Sequence, residues 1–167
     1  MKSMSRSTVA LVLAGAVAVA VPVAVHGADD EASPIFGVVL PPDYRQWELV
    51  SVSHEEGFGE LRAILGNALA MKTYREDTLP FPDGTMLAKL AYKRVQSDEF
   101  AAAFVPGAAT TVQIMVKDSK RYAATGGWGF GRFIGGKPVN EAQHETCYAC
   151  HDANVKAHDR VFTRYAR

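Results

Sequence analysis

Thiols are scarce in this chain of 167 residues, with Cys147 and Cys150 the only cysteines. A zinc site built on them would need two more ligands at finger-like spacing, and only the scattered His144 and His158 are near. Neither sign of charge is in excess, since 18 basic residues face 18 acidic ones. That balance leaves no basic field for nucleic acid or anionic lipid, and it gives no clue to the partner. Long apolar runs are also rare. One spans Thr8 to Val25, and no second follows, which predicts a soluble mature chain. Internal repeats and linkers are absent too, so a single domain is expected.

The one apolar run is at the N-terminus. Lys2 and Arg6 precede it, and Gly27-Ala28 supplies small residues before Asp29-Asp30-Glu31. This is the layout of a secretory signal peptide over residues 1–27. The run is also long enough to serve as an uncleaved anchor. Export places the protein in the periplasm. Removing the leader leaves about 140 residues, a single domain over 28–167 with enough chain for a proper core. Losing Lys2 and Arg6 makes that domain about two units negative.

The two cysteines stand in Cys147-Tyr148-Ala149-Cys150-His151. C-x-x-C-H is the attachment signature of a c-type haem. Both thiols can add to the haem vinyl groups as thioethers, and the adjacent His151 imidazole then becomes the proximal iron ligand. A redox C-x-x-C pair is the other reading, but it would not require His151, and no βαβ pattern precedes the motif. The export signal favours one covalently bound haem c, because that group is attached outside the bacterial cytoplasm.

Along the mature chain, Tyr44 to Val52 reads as a strand or a helix-to-strand passage. Residues 59–76 place Leu61, Ile64, Leu65, Ala68, Leu69 and Tyr74 at helical spacing, although Gly66 costs about 1 kcal/mol there against Ala. Pro80, Pro82 and Asp83-Gly84 predict a turn, and Thr85 to Val95 a strand. A short apolar piece, Phe100 to Phe104, ends at Pro106-Gly107, and Thr110 to Val116 is a further strand. Asp118 or Ser119 can cap a short helix through Ala124, closed by Gly126-Gly127. Trp128 to Ile134 reads as a strand, and a helix from about Asn140 carries the cysteines. The expected class is α+β, an antiparallel sheet with a few helices and the haem c motif on the C-terminal one.

No methionine occurs in Val155 to Arg167, so a sixth iron ligand would have to come from upstream. Met71, Met86, Met115, His54 and His144 are the candidates, and each has an ordinary reading as core filler or as a hydrogen-bonded imidazole. The favoured site is five-coordinate, with an open face able to bind a small molecule. Phe58, Phe81, Phe100, Phe104, Trp128, Phe130 and Phe133 are ample to line a pocket, although most must be core. An apolar pocket would suit neutral diatomics such as nitric oxide. A carboxylate or amine would suit proton-coupled chemistry.

Three stretches carry a family likeness: Pro82-Asp83-Gly84-Thr85 through Lys89, Val116-Lys117-Asp118-Ser119-Lys120-Arg121-Tyr122 with Gly127-Trp128, and Cys147–His151 followed by Val161-Phe162-Thr163. In this order and spacing, over about residues 41–167, the chain resembles the cytochrome P-460 family, which includes the cytochromes c′-beta. The resemblance implies a β-rich homodimeric haem c protein with His151 proximal and the sixth position open. In hydroxylamine-oxidising members a lysine on the strand after the D-G-T turn is bonded to the haem edge, and Lys89 stands at that place. Met86 to Tyr92 is apolar enough to half-bury its amine, and a partly neutral lysine can act as a nucleophile. A strand-edge lysine reaching to water is the plainer alternative. Those members also use a distal carboxylate, yet no Asp or Glu lies between Asp118 and Glu141, where Arg132 stands instead.

The expectation is therefore a periplasmic haem oxidoreductase taking hydroxylamine to nitrous or nitric oxide, with a periplasmic electron-transfer partner. A non-catalytic, nitric-oxide-binding cytochrome c′-beta is the alternative. A simple electron carrier fits less well, for want of a downstream methionine.

Overall fold

The computed structural model describes residues 31–166; the expected leader over 1–27 lies outside them. Six strands form one antiparallel sheet in sequence order: β1 (Glu48–Glu55), β2 (Glu60–Gly66), β3 (Met86–Gln96), β4 (Phe104–Lys117), β5 (Trp128–Ile134) and β6 (Lys137–Pro138). Helix α1 (Ala68–Glu76) is inserted between β2 and β3, and α2 (Glu141–Val155) follows β6. The α+β class and the C-terminal motif helix are as the sequence predicts. A short 3-10 turn, Tyr44–Gln46, leads into β1, the expected helix-to-strand passage. Among the described residues no helix is long and apolar enough to cross a membrane.

The helix expected over 59–76 is instead a strand followed by a shorter helix. Residues 60–66 pair on both sides, with β1 and with β3, and this satisfies their backbone groups better than a helix broken by Gly66 would. The strand ends at Gly66, where only glycine fits, since a Cβ there would sit 2.9 Å from the Ala70 Cβ and 3.1 Å from Val50. Asn67 then caps α1, its side chain accepting from the Ala70 amide at 3.0 Å and donating to the Gly84 carbonyl at 2.9 Å.

Two further expectations change. The apolar piece at 100–104 does not stop at Pro106-Gly107, because β4 runs straight through both, beside register shifts around Tyr92 on β3. The helix expected after Asp118 is only a capped turn and one 3-10 turn, Ala123–Thr125. Asp118 does cap it, accepting from the Lys120 and Arg121 amides at 3.1 and 2.9 Å.

The core is built on Trp128, Phe81, Phe133, Met71, Ile114, Val50 and Val161, all fully buried. Beyond α2 the chain returns across the molecule, and the Ala166 amide donates to the Val50 carbonyl at 3.0 Å. Val50 is free to accept it because β1 shifts register between Leu49 and Ser51.

Candidate functional site

Helix α2 starts at Asn140, whose side chain accepts from the Gln143 amide at 3.2 Å. Spacings of three and four residues bring Cys147, Cys150 and His151 onto one helical face. All three line a cavity of about 680 Å³ between α2 and the sheet, within the range of cofactor sites, about 300–1,000 Å³. Burial pushes the Cys147 thiol up, while Cys150 is exposed.

His151 is held in one orientation. Its Nδ1 donates to the Arg160 carbonyl at 2.7 Å, which leaves Nε2 as the lone-pair nitrogen facing the cavity. The ring lies 5.0 Å from Phe130 and 4.9 Å from Phe162, centroid to centroid. Burial lowers its pKa, and the Lys89 charge adds to that, against the Arg160 hydrogen bond. A neutral imidazole with a free Nε2 is the form a metal ligand needs. His144, 0% exposed, does other work. Its Nδ1 donates to the Asn140 carbonyl and its Nε2 accepts from the Arg132 amide, both at 3.0 Å, so it pins α2 to β5.

The sheet supplies the opposite wall through alternate residues in register. Leu87, Met115 and Phe130 form one row across β3, β4 and β5. Ile64, Lys89, Gln113 and Arg132 form the next, across β2 to β5. Beyond these come Arg62 and Thr111, and then Glu60. The cavity thus grades from an apolar end beside His151 to a polar end at Glu60 and Arg62, with Lys89 between. Burial pulls the Lys89 pKa down to about 8, helped by Arg62 and Arg132 and opposed by Glu60.

Glu60 is firmly held. Its carboxylate accepts from Thr110 Oγ1 at 2.7 Å and from Arg62 Nε and Nη2 at 3.0 and 2.8 Å. Burial works to raise its pKa, but these hydrogen bonds and the Arg62 charge outweigh it and hold the carboxyl below the usual range. Arg62 Nη1 also reaches Glu55 at 3.1 Å. Neither acid nor the arginine was a candidate from sequence. The Glu60-x-Arg62-x-Ile64 alternation marks one strand face, and reading the stretch as helix concealed it.

Of the five upstream candidates for a second iron ligand, only Met115 reaches the cavity, and it sits at the His151 end, across from Phe130. Met71 is core, and His54 is bonded to Arg94 at 3.0 Å. Among the aromatic residues Phe58 and Phe130 line the cavity, as does Phe162, which was not a candidate. Phe81, Trp128 and Phe133 are core, and Phe100 and Phe104 are exposed.

The family model described as Cytochrome P460 matches residues 41–163. The chain belongs to the cytochrome P460 family. No curated protein matches it. Membership implies a haem cofactor, and the cavity of this cytochrome fits one. It presents two thiols without disulfide partners, an imidazole whose Nε2 is left free by the Arg160 bond, and a buried Arg132 Nε with no protein partner.

Proposed function

We propose that this cytochrome is a periplasmic haem c oxidoreductase that oxidises hydroxylamine toward nitric or nitrous oxide. One observation carries the reading: Lys89, its pKa brought down to about 8 by burial, projects into the middle of the cavity that holds His151 and both cysteines. Cys147 and Cys150 would hold the haem as thioethers, with His151 Nε2 as its proximal ligand. When bound, the haem supplies an iron with an open coordination position and takes up the substrate's electrons. Lys89, as the free amine, could bond to the haem edge: one N–H and one haem C–H bond would be exchanged for the N–C bond, with two protons released to water and two electrons taken by an added oxidant of the peroxide class.

The protein's own contribution to turnover is proton handling. Glu60 is ionised at neutral pH and faces the cavity, so it can accept a proton from the bound nitrogen species. Arg62 and Thr110 fix the carboxylate, and Arg132 adds positive charge along the same wall. The polar end supports turnover over simple gas binding, for which an apolar lining would suffice. Electrons leave to a periplasmic acceptor protein. The exposed Leu49 and Val52 on edge strand β1 support assembly as a homodimer.

The deciding test is Lys89→Ala. Mass spectrometry of haem peptides should find the wild-type lysine bonded to haem and the variant free of it. The reduced Soret band should move from a red-shifted position to that of ordinary five-coordinate haem c. An unaltered spectrum and activity would refute the reading and leave nitric oxide binding as the function. A second variant, Glu60→Gln, should keep the spectrum and lower hydroxylamine turnover by about 100-fold, the scale of a lost general base. Undiminished turnover would move the base elsewhere.

A further inference from the structure

Two of the sequence stretches that carry the family likeness, residues 82–85 and 116–128, meet away from the cavity at Lys117. The Gly84 amide donates to its carbonyl at 2.8 Å, and its own amide donates to the Thr85 carbonyl at 2.9 Å. Asp83 accepts from the Ser119 amide and hydroxyl at 2.8 and 2.6 Å. At Gly127 a Cβ would stand 3.2 Å from Lys117 Cε, so glycine is what leaves the lysine its room. The enclosed Nζ, on a residue 6% exposed, lies over the Trp128 ring at 4.9 Å and donates to the Gly126 carbonyl at 3.2 Å. It also meets both carboxylate oxygens of Asp159 at 2.8 Å. No part of the proposed chemistry uses this ion pair.

Asp159 and the next residue, Arg160, are both left-handed, at φ 47° and 64°. Two successive non-glycine residues in that region are unfavourable and persist only where their surroundings impose the conformation. The impositions are visible. Lys117 holds the Asp159 carboxylate, which also accepts from the Phe81 amide at 2.9 Å. The Arg160 amide donates to the Val155 carbonyl at 2.9 Å, and its Nε donates to Asp152 at 2.7 Å. The product of this turn is the Arg160 carbonyl, which takes the His151 Nδ1 proton at 2.7 Å.

We infer that the buried Lys117–Asp159 pair is a positioning device for the proximal ligand, fixing the turn that sets the hydrogen bond on His151. The inference rests on the reading of His151 as the iron ligand. A hydrogen bond at Nδ1 raises the electron donation of Nε2 and is one of the protein's main levers on iron potential. Lys117 and Asp159 touch neither haem nor substrate. They act through the Arg160 peptide.

The test is resonance Raman spectroscopy of the ferrous holoprotein together with its midpoint potential. Asp159→Asn keeps the side chain's shape and removes its charge. In this variant the iron–imidazole stretch should shift to lower wavenumber and the potential should rise. Lys117→Gln, close in volume and still a donor, should give a smaller change in the same direction, and it decides the matter if Asp159→Asn does not fold. A folded variant of either kind that retains the wild-type stretch and potential would overturn the inference, leaving the pair a purely structural tie. Lack of an iron–imidazole band in the wild type itself would instead refute a five-coordinate iron held by His151, the reading on which the inference rests.

Discussion

In a chain that already carries Lys89→Ala, replacing Cys147 and Cys150 together by alanine is expected to leave a haem that acidified organic solvent extracts completely, whereas with both cysteines present the haem stays with the polypeptide. The two thiols are three residues apart on α2, on the face that also carries His151. Removing them leaves the imidazole and the apolar end of the cavity intact, so haem still binds, but by coordination and packing alone. The denatured variant should therefore run at the mass of the bare chain, and the Lys89→Ala parent at the mass of its chain plus one haem. Extraction of haem from that parent would show that attachment through these cysteines does not occur.

The second large effect is on stability, and its sign depends on pH. In the haem-free chain the Lys89 amine titrates near 8, against an ordinary value of 10.5, chiefly because folding buries it. Between those values the unfolded state binds more protons than the folded one, so stability rises with pH through this window. Below about pH 8 the full penalty applies. Discounted for the amine's remaining exposure, that penalty is roughly 2–3 kcal/mol. Lys89→Met should therefore stabilise the haem-free domain at pH 7 by about that amount. The advantage should shrink steadily from pH 8 to 10.5. Urea denaturation at several pH values measures it. A gap that does not vary with pH would mean that the amine carries no burial penalty. A residue that weakens the fold where it stands is in keeping with a site selected for chemistry rather than for stability.

What could be read from the sequence was what depends on near neighbours. The C-x-x-C-H motif needs only one helical face, and α2 provides it. Lys89 was found through the family resemblance, which puts a lysine on the strand after the turn legible from Asp83-Gly84, and the apolar run Met86 to Tyr92 added only that its amine would be half-buried. The strands at β3 and β5 were similarly plain. Glu60 and Arg62 were missed for a specific reason: in residues 59–76 the apolar spacing suits a helix, and only pairing with β1 and β3 makes the first part a strand. Once the stretch is a strand, its two-residue period turns Glu60 and Arg62 into the cavity. Asp159 was likewise out of reach, since its partner Lys117 is set by the meeting of three distant turns.

The sequential order of the strands bears on how the protein assembles. Each strand pairs with its neighbour in the chain, so the sheet forms by closing short loops, at small entropic cost. A long closure is the return of the tail, Ala166 to Val50. That tail carries Val161, Phe162 and Thr163 over the cavity. The sheet wall with Lys89 and Glu60 is thus the part favoured to form early, and the cover over it the part favoured to form last, an order that leaves the cavity accessible while a haem is being installed.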